Sequence, residues 1–225
     1  MPRDVVASCD GVTKTYPSVA GQVRALEGVD AEFLAGEVTA VVGPSGSGKS
    51  SLLKVLGGLE RPTAGHVEVG GAWFSGMRAG ALRRARRALV GYVLQRPSEN
   101  LISYLTVFEH LQLAARLRRR GSGEADELLD LLGLRPRRDN LPHQLSGGEQ
   151  QRVAFAQAVI GSPAVVLADE PTAELDRRSS DTLVGAIGRL ARAGTAVVVA
   201  THDPGVFDEA DRRLFLERGS LAGDS

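Results

Sequence analysis

With 225 residues, 43% of them apolar, the chain is long enough to bury a large core as one domain with room for an inserted subdomain. Lysine and arginine number 27 and aspartate and glutamate 27, so no net charge is available to hold a polyanion across the surface, and an aromatic content of 4% leaves few platforms for stacking exposed bases. The longest apolar runs, such as 164–168 and 196–200, fall far short of the roughly 20 residues that span a bilayer. The start Met1-Pro2-Arg3-Asp4 has no signal-type apolar segment behind it and Cys9 is the single cysteine, so a reducing cytoplasmic location is expected.

Residues 5–16 and 23–33 read as β-rich, with a break over 17–21. Gly36 then turns the chain into Val38-Thr39-Ala40-Val41-Val42, an uninterrupted apolar run of the kind that suits a strand covered on both faces of a parallel α/β sheet. Two more such runs, 165–168 and 196–200, end in Asp169-Glu170 and Thr201-His202-Asp203. Ligands of such sheets gather outside the carboxyl ends of the strands, where these polar residues lie. Between about 104 and 160 the pattern is helical: Val107, Leu111 and Ala114 share a face, and a helix over 124–132 stops at Gly133 in the C′ position. The arginine runs Arg83-Arg84, Arg86-Arg87 and 116–120 are expected to be solvated helix faces.

Gly43-Pro44-Ser45-Gly46-Ser47-Gly48-Lys49-Ser50 matches G-x-x-x-x-G-K-[ST] in full, after a predicted strand and before an amphipathic segment that opens at Ser51. The glycines let the backbone curl around phosphates, Lys49 supplies a point charge to the β and γ groups, and the Ser50 hydroxyl can ligate Mg²⁺. Asp169 is placed to hold the same ion, and Glu170 is the candidate to polarise an attacking water. On its own, Asp-Glu after a strand reads equally as a turn or a helix cap.

A second glycine-rich helix start, Leu145-Ser146-Gly147-Gly148-Glu149-Gln150, precedes a helix predicted from Glu149. Each glycine within a helix costs roughly 1 kcal/mol relative to alanine. One reading is a Ser-x-x-Glu capping box and nothing more. The other is a phosphate site made of bare backbone N–H groups at the positive end of the helix.

The phosphate loop, residues 145–150 and 165–170, and His202, in this order and at these intervals, resemble the nucleotide-binding domain of ABC transporters over nearly the whole chain. The resemblance implies an α/β P-loop NTPase fold of ABC type: a mostly parallel RecA-like core sheet, an N-terminal antiparallel β subdomain and an inserted helical subdomain. It implies one domain over 1–225, its catalytic core at about 1–95 and 161–225 and its helical part at about 96–160. It further implies an ATPase in which residues Gly43, Pro44, Ser45, Gly46, Ser47, Gly48, Lys49, Ser50 and Ser51 hold ATP and Tyr16 stacks on adenine. Ser50, Gln95 and Asp169 would hold Mg²⁺, with Gln95 also reaching the water. Glu170 would be the catalytic carboxylate, Ala173-Glu174-Leu175-Asp176 the D-loop, and His202 the switch histidine near the γ-phosphate. Taken singly, Tyr16 reads as a core or strand-edge tyrosine and His202 as a satisfied buried histidine. The segment Leu145, Ser146, Gly147, Gly148, Glu149, Gln150 would close over ATP held by another subunit. The expected assembly is therefore a head-to-tail pair, formed with a second copy or a homologous ATPase subunit.

Residues 90–95, 100–107 and 167–172 look like the branch that serves macrolide-exporter, lipoprotein-release and cell-division-type permeases. That likeness implies a separate integral-membrane permease, a mechanical pull on it, and a peripheral place on the cytoplasmic face of the plasma membrane. Residues 96–104 would form part of the groove for the permease's cytoplasmic coupling element. Three departures stand out: Arg96-Pro97-Ser98-Glu99 is about two residues longer than expected before Asn100, Ser51 replaces a threonine, and Glu174 puts an acid in the D-loop. The alternatives are a regulatory ABC ATPase that controls a membrane partner without transport, and a soluble ABC ATPase acting on DNA or ribosomes. The latter kinds carry long coiled coils or two such domains; this chain has neither, and no nucleic-acid partner is expected.

Overall fold

Alternation of apolar and polar residues gives the first two strands, β1 (Val5–Ser18) and β2 (Gly21–Leu34), one face for the core: Ala7, Cys9 and Val12 from one, Leu26, Val29, Ala31 and Phe33 from the other. The structure, a computed structural model, describes residues 4–19, 21–119, 121 and 123–224; Met1, Pro2 and Arg3, Ala20 of the expected break, and Arg120 of the last arginine run lie outside them. The break is narrower than 17–21, since pairing continues through Pro17↔Gln22 to Ser18↔Gly21. Proline is tolerated there because beyond Thr13 the strand pairs on one side only. β4 (Ala64–Val69) and β5 (Ala72–Trp73) complete an antiparallel sheet of order β2-β1-β4-β5.

The apolar runs form the second sheet, built from β3 (Val38–Val42), β6 (Val90–Val93), β7 (Val165–Asp169), β8 (Ala196–Ala200), β9 (Arg212–Glu217) and β10 (Ser220–Asp224) in the order β10-β9-β3-β8-β7-β6. All neighbours are parallel except the β10–β9 pair at the edge. The mostly parallel core sheet and the N-terminal antiparallel subdomain are therefore as expected. Both faces of this sheet are covered. Val165, Leu167 and Val198 pack with α1 (Lys49–Leu56) against the antiparallel sheet, whereas Val166, Val197 and Val199 pack against the helices of the opposite layer. Burial on both faces is why these strands read as continuous apolar runs.

α2 (Ala79–Leu89) leads into β6. Between β6 and β7 the chain is helical: α3 (Pro97–Asn100), α4 (Val107–Leu117), α5 (Ala125–Leu131) and α6 (Gly147–Val159). α7 (Arg177–Arg192) follows β7, and α8 (Pro204–Asp208) follows β8. α4 starts on a capping box of Thr106 and Glu109, and Gly133 takes φ 64° just past α5. Ala115 completes the buried face of α4 with Val107 and Leu111, while Ala114 is only partly buried.

Two expectations are corrected. α6 begins at Gly147, two residues before Glu149, so both glycines lie in its first turn, where helical N–H groups have no partner within the helix in any case. Arg118 is not part of a solvated helix face. It follows the end of α4, and its guanidinium donates to the carbonyls of Gln157 at 2.8 Å and Ala158 at 3.0 Å, clamping α4 to the end of α6. Arg83, Arg84 and Arg87 are exposed as expected; Arg86 is half-buried and donates to the Gly58 carbonyl at 3.4 Å.

Candidate active site

β3 ends at Val42 and α1 begins at Lys49, so the residues between them form a loop at the carboxyl edge of the core sheet. Gly48 has φ 110°, and a β-carbon there would lie 2.3 Å from the Ala25 carbonyl oxygen; the loop can take this course only with glycine at that place. The Lys49 ammonium, almost fully covered, donates to the carbonyls of Gly43 at 2.8 Å and Pro44 at 3.2 Å. Its charge is thus held in the middle of the loop. The buried Ser47 hydroxyl has no hydrogen-bond partner among the described residues.

Two strand ends converge on this loop. From β7, Asp169 Oδ1 accepts from Ser50 Oγ at 3.0 Å, and Glu170 Oε1 lies 4.0 Å from Lys49 Nζ. Burial pushes the Asp169 carboxyl above the usual carboxylate range; the Ser50 hydrogen bond opposes this, the Glu170 charge adds to it, and Lys54 and Lys49 oppose it. From β8, His202 places Nδ1 2.9 Å from Glu170 Oε1, while its backbone N–H donates to Oε2 at 3.4 Å. Glu170 is one of the non-glycine residues with positive φ, at 45°. Such a backbone costs of order 1 kcal/mol or more and is concentrated at functional sites.

The loop, Gln95, Glu170 and His202 line one cleft of about 600 Å³. His202 is exposed there and is not a buried histidine. Gln95, also exposed, follows β6; Asn100 holds its neighbours, since Oδ1 accepts from Leu94 N at 2.9 Å and Nδ2 donates to the carbonyls of Leu94 and Arg96. Tyr16 borders the cleft through Ser51: its hydroxyl lies 3.4 Å from Ser51 Oγ and donates to Glu60 at 2.7 Å.

Leu145–Gln150 and Asp176 do not line this cleft. The capping box is real: Ser146 Oγ accepts from Glu149 N, and the Glu149 carboxylate accepts from Ser146 N at 2.8 Å. Leu145 is buried in the helical core, Glu149 also pairs with Arg137 at 2.8 Å, and Gln150 donates to the Pro142 carbonyl at 2.9 Å. Asp176 caps α7 through Ser179, and a β-carbon on Gly148 would come within 2.5 Å of Ser179 Oγ. Gly148 therefore has a packing reason within its own chain. Among the described residues, a β-carbon on Gly147 meets nothing within 4 Å.

Sequence reasoning missed Glu60 and Asp203. The Asp203 carboxylate accepts from Thr172 Oγ1 at 2.7 Å and caps α8, tying the turn after β7 to the turn after β8. A second cleft, of about 450 Å³, lies between α2, β6, α4 and α6; Arg83, Arg86 and Arg87 stand on one side and Ala114, Leu117 and Ala154 on the other. Of residues 96–104 only Asn100 borders it.

Residues 26–173 match the sequence family described as ABC transporter. The chain belongs to the ABC transporter family. It is 36% identical over 228 residues to the lipoprotein-releasing system ATP-binding protein LolD of Chromohalobacter salexigens, covering 99% of this chain and 95% of that one. It is 40% identical over 220 residues to the macrolide export ATP-binding/permease protein MacB 1/2 of Paracoccus denitrificans, covering 95% of this chain but 32% of the relative. The chain thus spans about a third of the length of its MacB relatives. Among solved structures, the dimeric bacterial ABC transporter cassette MJ0796 superimposes with a TM-score of 0.88 at 34% identity over 97% of both chains. A dimeric post-hydrolysis state of the same cassette, bound to ADP and Pi, gives equal values. This member of the family is an ABC ATPase of the MacB and LolD type, and none of its described helices is long and apolar enough to cross a membrane.

Proposed function

We propose that the chain binds and hydrolyses ATP as one of two head-to-tail ATPase subunits, and that closure of the pair drives a separate membrane permease of the export or mechanical type. The observation that carries the reading is the convergence of Lys49, Ser50, Glu170 and His202 from three neighbouring strand ends on one cleft, with Asp169 bound to Ser50. Lys49 is positioned to exchange its loop carbonyls for phosphate oxygens, a stronger, charge-assisted partner. Glu170 accepts the proton of a water it orients, and His202 holds that carboxylate from the far side. The donor set suits a hard divalent cation: a hydroxyl and a carboxylate 3.0 Å apart, with burial leaving the carboxylate in want of positive charge. Ser50 and Asp169, with Gln95 in reach of the same cleft, would hold Mg²⁺, which supplies charge neutralisation at the phosphates.

The exposed Gly147 supports a role for the helix start toward another subunit, because nothing among the described residues demands glycine there. ATP bound between two subunits holds them by charge, and hydrolysis removes that charge. The pair forms with a second copy or a homologous subunit. The permease meets the ATPase at a groove that residues 96–104 help to form, where Asn100 borders the cleft beside α2, and holds it at the cytoplasmic face of the membrane. Purified chain carrying Glu170→Gln tests the reading: it should give ATP-dependent dimers on size exclusion. A monomer at saturating ATP and Mg²⁺ overturns it.

A further inference from the structure

Tyr16 is fixed by more contacts than a strand-edge tyrosine needs. Its hydroxyl donates to Glu60 Oε2 at 2.7 Å and stands 3.4 Å from Ser51 Oγ, in the first turn of α1. Lys14, two residues earlier on β1, lies 4.9 Å from the centre of the Tyr16 ring and pairs with Glu60 Oε2 at 3.1 Å. The same ammonium donates to the Arg61 carbonyl at 2.9 Å. Glu60 is itself built in: its backbone N–H donates to the Lys54 carbonyl at 3.1 Å, fixing it to the end of α1, and Thr63 N donates to Thr13 O at 2.7 Å, fixing the segment to β1. One carboxylate thus joins the helix that starts at the phosphate loop to the strand that carries the ring.

Lys14 lies over one side of the ring, so a stacking base takes the other. A ring whose tilt is set before binding loses less freedom when a base stacks on it.

We propose that Glu60 is a positioning residue for nucleotide binding: it sets the plane and tilt of Tyr16 as the base platform and, through Ser51, ties that platform to the phosphate loop. This rests on the reading that the loop holds ATP with its base at Tyr16. Burial raises the Glu60 carboxyl, but the hydrogen bonds from Tyr16 and Lys14 and the charges of Lys14 and Lys54 outweigh it and hold it below the usual carboxylate range, so the acceptor is a carboxylate at neutral pH.

The test compares ATP, which has a base, with inorganic tripolyphosphate, which has none, by calorimetry on the full chain with Mg²⁺. Glu60→Ala should weaken ATP about five- to tenfold, the loss of roughly one hydrogen bond's net worth. Tripolyphosphate affinity should stay unchanged. Tyr16→Phe should weaken ATP to a similar degree, the double variant should lose no more than either single one, and Glu60→Gln should recover most of the affinity. In turnover, KM for ATP should rise with kcat kept. Equal weakening of ATP and tripolyphosphate, or no effect of Glu60→Ala on ATP, overturns the proposal. If Glu60→Ala does not fold, Tyr16→Phe, which removes the same hydrogen bond, decides by the same criteria, and Glu60→Gln should stay near the parent. Tyr16→Ala separates the two levels: unchanged ATP affinity there sinks the base-platform reading as well, while a loss there without a loss in Glu60→Ala sinks the role of Glu60 alone.

Discussion

His202 grips the Glu170 carboxylate at both oxygens, with its ring nitrogen 2.9 Å from one and its backbone N–H 3.4 Å from the other. The carboxylate is held from β8 although it is carried by β7, and the ring that holds it is open to solvent. A ring in that position can leave the carboxylate when phosphate enters the cleft. His202→Ala is accordingly expected to lower hydrolysis by about 10²-fold while ATP affinity stays within about threefold. Phosphate release and equilibrium binding, measured on one preparation, check it.

The two glycines of the α6 start should behave differently. Gly147→Asp puts an acid in the first turn, which favours the helix, and its β-carbon meets none of the described residues within 4 Å, so its thermal stability should match the parent while hydrolysis is lost. Lys49→Ala should abolish hydrolysis too. If Gly147→Asp hydrolyses ATP at the parental rate, Ser146–Gly148 is a capping box without a part in the chemistry.

Gly148→Ala forces a β-carbon against Ser179, and overpacking of this kind costs about 1–3 kcal/mol. Ser179→Gly in the same chain removes both side-chain atoms in the way. Denaturant melts should show the loss in the single variant and recovery in the double one.

His110 is buried, accepting from Ile102 N at Nε2, 2.8 Å, which leaves Nδ1 to donate to the Thr106 carbonyl at 2.7 Å. Burial lowers its pKa, against the opposing pull of the Thr106 hydrogen bond and the Glu109 charge. The folded state therefore binds a proton less readily than the unfolded chain, and stability is complete above the ordinary histidine value of about 6.5 and falls as pH drops through it. Melting temperatures from pH 7.5 to 5.5 should decline in the parent and decline less in His110→Gln, whose amide reproduces one donor and one acceptor. An identical decline in both would assign the pH dependence elsewhere.

Charge reversal in the second cleft addresses the permease. Arg83→Glu with Arg87→Glu changes two exposed side chains away from the nucleotide cleft. ATP hydrolysis by the isolated subunit should persist, and co-purification with a polytopic membrane partner should fail. Retained co-purification would place the permease on another face.

The parts of this site that were legible in the sequence are those whose chemistry is local. The phosphate loop shows itself because one turn needs glycines, a lysine and a hydroxyl at fixed spacing, and the buried strands show themselves as valine runs. Glu60 and Asp203 carry no such mark. Their partners are chosen by the tertiary fold, as with Tyr16 and Glu60, 44 residues apart. Arg118 was misread for the same reason: composition put it with its arginine neighbours, while the carbonyls that bury it come from the end of α6. The early start of α6 was obscured by treating glycine as a cost within a helix, a cost that shrinks where the first N–H groups have no helical partner.

The order β3-β8-β7 has one more consequence. Phosphate loop, histidine and carboxylates leave the sheet at three adjacent strand ends, and the strands behind them, Val197, Val198 and Val199 among them, are fully enclosed. Amides so enclosed exchange with solvent only when the whole domain opens. Warming should therefore remove nucleotide binding and cooperative structure in a single step, so that deuterium uptake at 197–199 and retention of bound nucleotide trace one curve.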